Sequence, residues 1–274
     1  MAYSNLYFPG RYFSGAPVSV ATSPTAEAIC NSALVALGAS EITFLTDDNE
    51  RARLCNRLWP TVRDMVLRAH VWNCALKRVQ FAAQSVGITR SGSTATVTLA
   101  SHGFATGDLV TIAGADQTEY NGTFTITVVT TNTFTYAVTG TPATPATGTI
   151  TASLLALWGY TYAFILPSDF VRLVEVEDET DYKIEGGRLL SDSSALNVKY
   201  VRQETDPSKY DKLLVGAMIA AMTMELAYPI ARSQSAQAAA TQLYAEKLRM
   251  ARGVDGLEEP QDTIGDFPLL SVRG

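Results

Sequence analysis

The chain has 274 residues, a formal net charge of −6, 47% hydrophobic residues and three cysteines. That length and apolar share suit a globular protein that buries its core without staples, and an odd set of cysteines (Cys30, Cys55, Cys74) with no Cys-x-x-Cys pair argues against a disulfide framework or a zinc site. The acidic balance supplies no basic face to displace counterions from phosphate, which excludes a dominant grip on nucleic acid.

Residues 1–22 contain Tyr7, Phe8, Tyr12 and Phe13 with neither helical nor strand period. They read as an arm that docks onto something, a loose terminus being the plainer alternative. No charged start with an apolar run behind it marks a secretion leader. Ser23 and Pro24 predict the cap and first residue of a helix with Ile29, Ala33, Leu34 and Leu37 buried and Gly38 as its stop. Asp47 with Glu50 predicts a capping box for a second helix that carries Cys55, Trp59, Val62 and Val66 inward and kinks at Pro60. Residues 76–83 read as extended.

From Val86 to Ala152 the composition changes to Thr, Gly and alternating apolar residues with only four charges, Arg90, Asp108, Asp116 and Glu119. Short predicted strands with turns at Asn121-Gly122 and Thr131-Asn132 make a small antiparallel sandwich or barrel. It is spliced into a host that resumes at Leu154. A host strand over 157–166 follows; if it pairs with 76–83, the insert leaves from a hairpin tip. Further strands are predicted at 171–176, 182–185, 188–190 and 196–202.

Asp206-Pro207 predicts the start of a third helix, apolar on both faces, with Met218 and Met222 on one of them and Pro229 as its end. Its uncharged stretch, 213–224, is shorter than the roughly 20 residues a bilayer demands, so no membrane span is expected. A fourth helix runs from about residue 234 to Arg252, with Ala240, Leu243, Tyr244, Leu248 and Ala251 inward and Gly253 as the stop. Residues 254–274, with Glu258, Glu259, Asp262 and Phe267, are acidic and irregular. The predicted fold class is α+β: a four-helix bundle core with an antiparallel β subdomain (23–85 and 153–253), an inserted all-β module (86–152), and terminal arms (1–22 and 254–274).

Chemistry-bearing motifs are sparse. The two histidines, His70 and His102, fall one in each part, and no Gly-x-Ser-x-Gly, His-Glu-x-x-His or Gly-x-x-x-x-Gly-Lys occurs. Asp47, Asp48 and Glu50 have the residue types for a divalent cation, but carboxylates in a first helical turn already stabilise the positive end of the helix dipole. Glu175, Glu177, Asp178, Glu179 and Asp181 form a second acidic group; as paired carboxylates they suggest glycoside hydrolysis, as a charged hairpin they suggest only solvation. Tyr120 and Tyr136 are the candidates for an exposed sugar-stacking or fibre-contacting platform, with a strand core face as the alternative. No catalytic, cofactor or metal residue is assigned.

The host segments resemble the tail tubular protein A, or head-to-tail adaptor, family of short-tailed bacteriophages. The resemblance lies in Ile29-Cys-Asn-Ser-Ala-Leu, Arg51-Ala-Arg-Leu-Cys-Asn with Trp59-Pro-Thr-Val-Arg-Asp, and Trp72-Asn-Cys-Ala-Leu-Lys-Arg. It continues in Trp158-Gly-Tyr-Thr-Tyr-Ala, Leu166-Pro-Ser-Asp-Phe-Val-Arg-Leu, Tyr182-Lys-Ile-Glu-Gly-Gly, Thr205-Asp-Pro and Glu225-Leu-Ala-Tyr-Pro-Ile. Val71 and Cys74 depart from the family pattern. The resemblance implies a non-enzymatic virion component of the neck, made in the host cytoplasm. It forms a homo-oligomeric ring, commonly of twelve subunits, between the portal protein and the tail nozzle (tail tubular protein B). DNA passes through the channel without sequence-specific binding, and tail fibres or spikes dock outside. On this view Tyr7, Phe8, Tyr12, Phe13, Met218, Met222, Glu258, Glu259, Asp262 and Phe267 are interface candidates. A glycan-binding or glycan-hydrolysing tail protein is the competing expectation.

Overall fold

The structure, a computed structural model, describes residues 24–177 and 181–257. The arm candidates Tyr7, Phe8, Tyr12 and Phe13 and the tail candidates Glu258, Glu259, Asp262 and Phe267 lie outside the described residues, as do Asp178 and Glu179. Among the described residues the chain is α+β, with four α-helices and four antiparallel sheets.

Helix α1 (Ala26–Ala36) is capped by Thr25, whose hydroxyl accepts from Ala28 N at 3.1 Å, two residues later than Ser23 implied. Gly38 (φ +74°) ends it in a left-handed turn. Gly38 N returns to Val35 O and Ala39 N to Leu34 O, so two of the last carbonyls are satisfied. The cap of α2 (Glu50–Ala69) is Asn49, which accepts from Ala52 N. Asp47 instead accepts from Thr43 N and Phe44 N and closes the preceding turn. Three capping residues stand in a row here, and the one nearest the helix takes the role.

Among the described residues, fourteen strands follow the second helix. They begin with β1 (Leu76–Phe81), β2 (Gln84–Ser85), β3 (Gly87–Ser91), β4 (Thr94–Thr98) and β5 (Leu109–Ala115). Next come β6 (Gly122–Thr125), β7 (Thr127–Thr130), β8 (Thr133–Ala137), β9 (Gly148–Leu154) and β10 (Tyr162–Ile165). The last four are β11 (Phe170–Val176), β12 (Tyr182–Glu185), β13 (Arg188–Ser191) and β14 (Leu196–Arg202). The sheet orders are β1-β14-β11, β10-β13-β12, β2-β9-β5-β6 and β3-β4-β8-β7.

The expected pairing of 76–83 with 157–166 does not occur. β1 pairs with β14, setting Val79 opposite Val198 and Phe81 opposite Leu196. That register buries one face of the sheet in a small core with Phe164 and Leu189. The 157–166 segment is a strand only over β10, which pairs with β13. The two ends of the Thr-rich segment still meet, because Gln84 and Ser85 of β2 pair with Ala152 and Thr151 of β9.

The β2-β9-β5-β6 and β3-β4-β8-β7 sheets share one core, in which Ile88, Val97, Val110, Ile112, Phe134 and Ile150 are buried. Ala163, Ile165 and Leu190 of β10 and β13 pack against this same core. A Cβ on Gly103 would stand 3.1 Å from Ile165, and Arg188 makes a two-bond contact with both carboxylate oxygens of Asp108 at 2.8 and 3.0 Å.

The largest core lies among the helices and takes in Ile29, Leu34, Trp59, Val66, Trp72 and Leu226. Asp206 caps a short turn at Pro207–Lys209 rather than the helix itself; α3 (Lys212–Ala231) starts after Asp211, which accepts from Leu213 N and Leu214 N. It runs through Pro229 and stops at Arg232 (φ +48°). At 20 residues α3 is long and apolar enough to cross a membrane by length and composition, which corrects the shorter stretch expected; half of the relevant window is buried inside this chain. α3 contacts α1, α2 and α4 (Gln234–Asp255), so it is enclosed by the other helices. Gly253 lies within α4, Gly256 caps it, and Leu243, expected inward, is exposed.

Candidate functional site

Each expected site residue among the described residues has a place whose geometry limits its chemistry. Met218 and Met222 are fully buried in the helical core. Their side chains are covered within this chain, which corrects their place among the interface candidates. The physical reason is the all-round apolarity of α3, which demands cover on every side.

Tyr120 and Tyr136 are likewise core residues, not an exposed platform. Tyr120 sits in a short helical turn, Thr118–Tyr120, and its hydroxyl donates to Ala143 O at 2.9 Å. Tyr136, on β8, donates to Tyr120 O at 3.0 Å and stacks on Phe124 with ring centroids 4.1 Å apart. Burial raises the Tyr136 phenol above its ordinary pKa. Both rings bury their apolar bodies and satisfy their hydroxyls internally, the arrangement expected of a core tyrosine.

Glu175 on β11 and Glu177, the residue just past its end, are exposed beside Arg78 and Gln80 of β1 and Asn197 and Lys199 of β14, in a shallow cleft of about 390 Å³. Asn197 donates to Glu177 at 2.7 Å. The two carboxylates line the same wall of this cleft, two residues apart in the chain. Glycoside hydrolysis requires carboxyl groups flanking the scissile bond from opposite sides, and this pair offers a mixed-charge surface instead. Asp181 contributes its carbonyl, which accepts from the Ser191 hydroxyl.

Both histidines are committed to structural contacts. His102 accepts from Phe104 N at 3.0 Å through Nδ1, and its Nε2 lies 3.1 Å from Thr130 O; the tautomer protonated on Nε2 satisfies both. It packs on Phe104 and Phe134. His70 Nε2 lies 3.1 Å from Asp255 Oδ2, while Asp255 also accepts from Asn73 N and Asn73 Nδ2. This network fastens the end of α4 to the segment following α2. Asp48 pairs with Arg53, and Asp47 is consumed by its turn. No cluster of three or more metal-ligating side chains occurs among the described residues.

The most exposed large apolar residues that the strand expectation concealed are Leu157 (76% exposed) and Trp158 (83%). They stand on a turn made possible by Gly159 (φ +83°), and Thr161 anchors that turn by donating its N–H and hydroxyl to Asp192. The turn borders a cleft of about 410 Å³ walled by Tyr160, Lys183, Glu185, Arg188 and Leu190. The glycine inside an apolar run was the signal for a break in the strand. A third cleft, about 460 Å³, lies where β1, β9 and β10 approach His102 and Phe104.

No family model matches the chain, and no curated protein matches it. Among solved structures, 28% of the chain is similar to 12% of the length of phage phi92 endosialidase, at 27% identity and a TM-score of 0.21. At that TM-score the likeness bears on neither fold nor activity.

Proposed function

We propose that the chain is a structural virion protein: a subunit of a ring-shaped head-to-tail adaptor between portal and tail nozzle, with a DNA channel and an outer surface for tail fibres. Its architecture on this reading is a four-helix bundle core with an antiparallel β subdomain, interrupted by an inserted β module at 86–152 and flanked by arms at 1–22 and 254–274. The observation that carries the proposal is the use made of the resemblance-bearing residues. Ile29, Cys30, Ala33, Leu34, Cys55, Trp59, Val62, Trp72, Ala75 and Leu226 belong to one core.

Two hydrogen-bonding side chains of the same motifs brace that core. Asn31 binds both backbone groups of Ile42 at 2.8 Å, and the Trp72 indole donates to Val66 O at 2.9 Å. The residues that carry the resemblance thus fall in the helical core. Separate cores for the helices and for the Thr-rich segment, with β2 and β9 pairing at its base, support the inserted-module reading.

Mass photometry of the purified chain, alone and mixed with the portal protein of the same virion, tests the proposal. A cyclic oligomer is expected in at least the mixture. A chain that remains monomeric with portal present overturns the adaptor reading.

A further inference from the structure

Besides the face that packs on α3, helix α4 carries a second apolar stripe on its exposed side. Leu243, Met250 and Val254 recur at i, i+7 and i+11, which places them within about 40° of one another around the helix axis. All three are exposed, as is Leu257 just past the cap. Single exposed apolar residues are ordinary, but an aligned set on one helix marks a contact surface. Exposed Lys247, Arg249 and Arg252 outnumber the exposed acid Glu246 along this length, so the margin of the stripe is basic.

The surface formed by α1 and the loop after it has the opposite charge. Val35 on α1 and Phe44 on the loop are exposed, and Asn31 fastens that loop to α1 through both backbone groups of Ile42. Asp47 closes the turn that displays Phe44. Residues 26–50 contain five acids, Glu27, Glu41, Asp47, Asp48 and Glu50, and no base. Both α1 and α4 pack on α3 without substantial contact with each other among the described residues, so the two patches lie on different sides of it.

We infer that the α4 stripe of one subunit seats on the patch around Val35 and Phe44 of a second copy of this chain. The inference rests on the adaptor reading and supplies its subunit contact. Joining two different patches makes the contact heterologous: each copy meets one neighbour through α4 and the other through its acidic patch. Such a contact closes into a ring when the rotation between copies divides a full turn. Apolar side chains leave water at its centre, while the opposite charges at its margin speed encounter and fix the register. Packing α4 against α4 would instead bring the bases of both copies together, and two acidic patches would repel in the same way.

Met250→Asp and Phe44→Asp each place a charge in one patch. Both positions are exposed, so fold and thermal midpoint should be kept. Sedimentation velocity of each variant over a concentration series, alone and with portal, should show assembly lost or shifted to about tenfold higher concentration or more. Mixed with each other without portal, the two variants should form a heterodimer and nothing larger, because the intact stripe of one meets the intact patch of the other and the remaining two are blocked. Lys247→Glu with Arg249→Glu should also prevent assembly, and adding Glu41→Lys with Glu50→Lys to the same chain should restore it. This charge-reversal set decides the matter if either Asp variant fails to fold. Assembly of either Asp variant at the concentration of the unsubstituted chain overturns the contact and leaves the adaptor reading standing. Loss of assembly in both variants with no heterodimer in their mixture overturns the head-to-tail arrangement. An unsubstituted chain that stays monomeric with portal present overturns the adaptor reading and this contact together.

Discussion

At one end of the β1-β14-β11 sheet, Asp169 gathers three partners. Lys77 Nζ lies 2.9 Å from its Oδ2, the Tyr200 hydroxyl donates to its Oδ1 at 2.8 Å, and Gln203 N donates to its carbonyl. Burial works to raise the carboxyl pKa, but the bonds from Lys77 and Tyr200 outweigh it and hold the group below its ordinary 3.8. A carboxylate depressed in this way adds stability that is fully present above its unfolded pKa and is lost as pH falls through the folded value. Asp169→Asn should therefore cost about 1–2 kcal/mol near neutrality, discounted because Lys77 is partly exposed. The difference from the unsubstituted chain should shrink as pH drops below about 3.8. Urea denaturation at pH 7 and near pH 3 measures both; an equal difference at the two values would show that the ion pair contributes nothing.

Among the elements, α3 has the most stringent sequence requirement. No described residue from Leu213 to Leu226 is exposed, and Leu214, Met218, Met222 and Leu226 are fully buried. Leu214→Ala or Met218→Ala should destabilise by about 2–5 kcal/mol, the cost of lost burial plus a cavity. Leu243→Ala on the exposed face of α4 should change stability by less than about 0.5 kcal/mol. Denaturant midpoints of the three variants check the contrast, and equal effects would mean that Leu243 is covered in the folded protein. This helix was legible because apolarity on all faces has one structural solution. The caps of α1 and α2 were legible only to within two residues, since Ser23, Thr25, Asp47 and Asn49 all have capping side chains and the backbone geometry chooses between them. The partner of β1 was not legible at all. Strand pairing over a long separation is decided by which apolar faces remain uncovered, and Phe81 finds Leu196 and Phe164 for that reason. Tyr120 was ambiguous because it lies in a helical turn, where strand alternation says nothing about burial.

At the scale of the whole molecule, the question is what the helical core owes to the Thr-rich segment. Neither that core nor the small one around Phe81 and Phe164 contains a residue from 86–152. The β2–β9 pairing holds Ser85 opposite Thr151, so the chain can be rejoined there over a short gap. The segment is nevertheless docked: Ala163, Ile165 and Leu190 lie on its core, and Arg188 depends on Asp108 for its ion pair. Removal of 86–152 should leave cooperative unfolding of the helices and the same oligomeric state as the full chain. It should also lower the thermal midpoint by several degrees, because apolar area on β10 and β13 becomes exposed and a half-buried guanidinium loses its carboxylate. Asp108→Ala, which breaks the ion pair and leaves both cores filled, should show a smaller drop. Circular dichroism melts and mass photometry of the two variants read these outcomes. If the deletion abolishes helical structure while Asp108→Ala does not, the cores are one folding unit, and the Thr-rich segment is part of the scaffold itself.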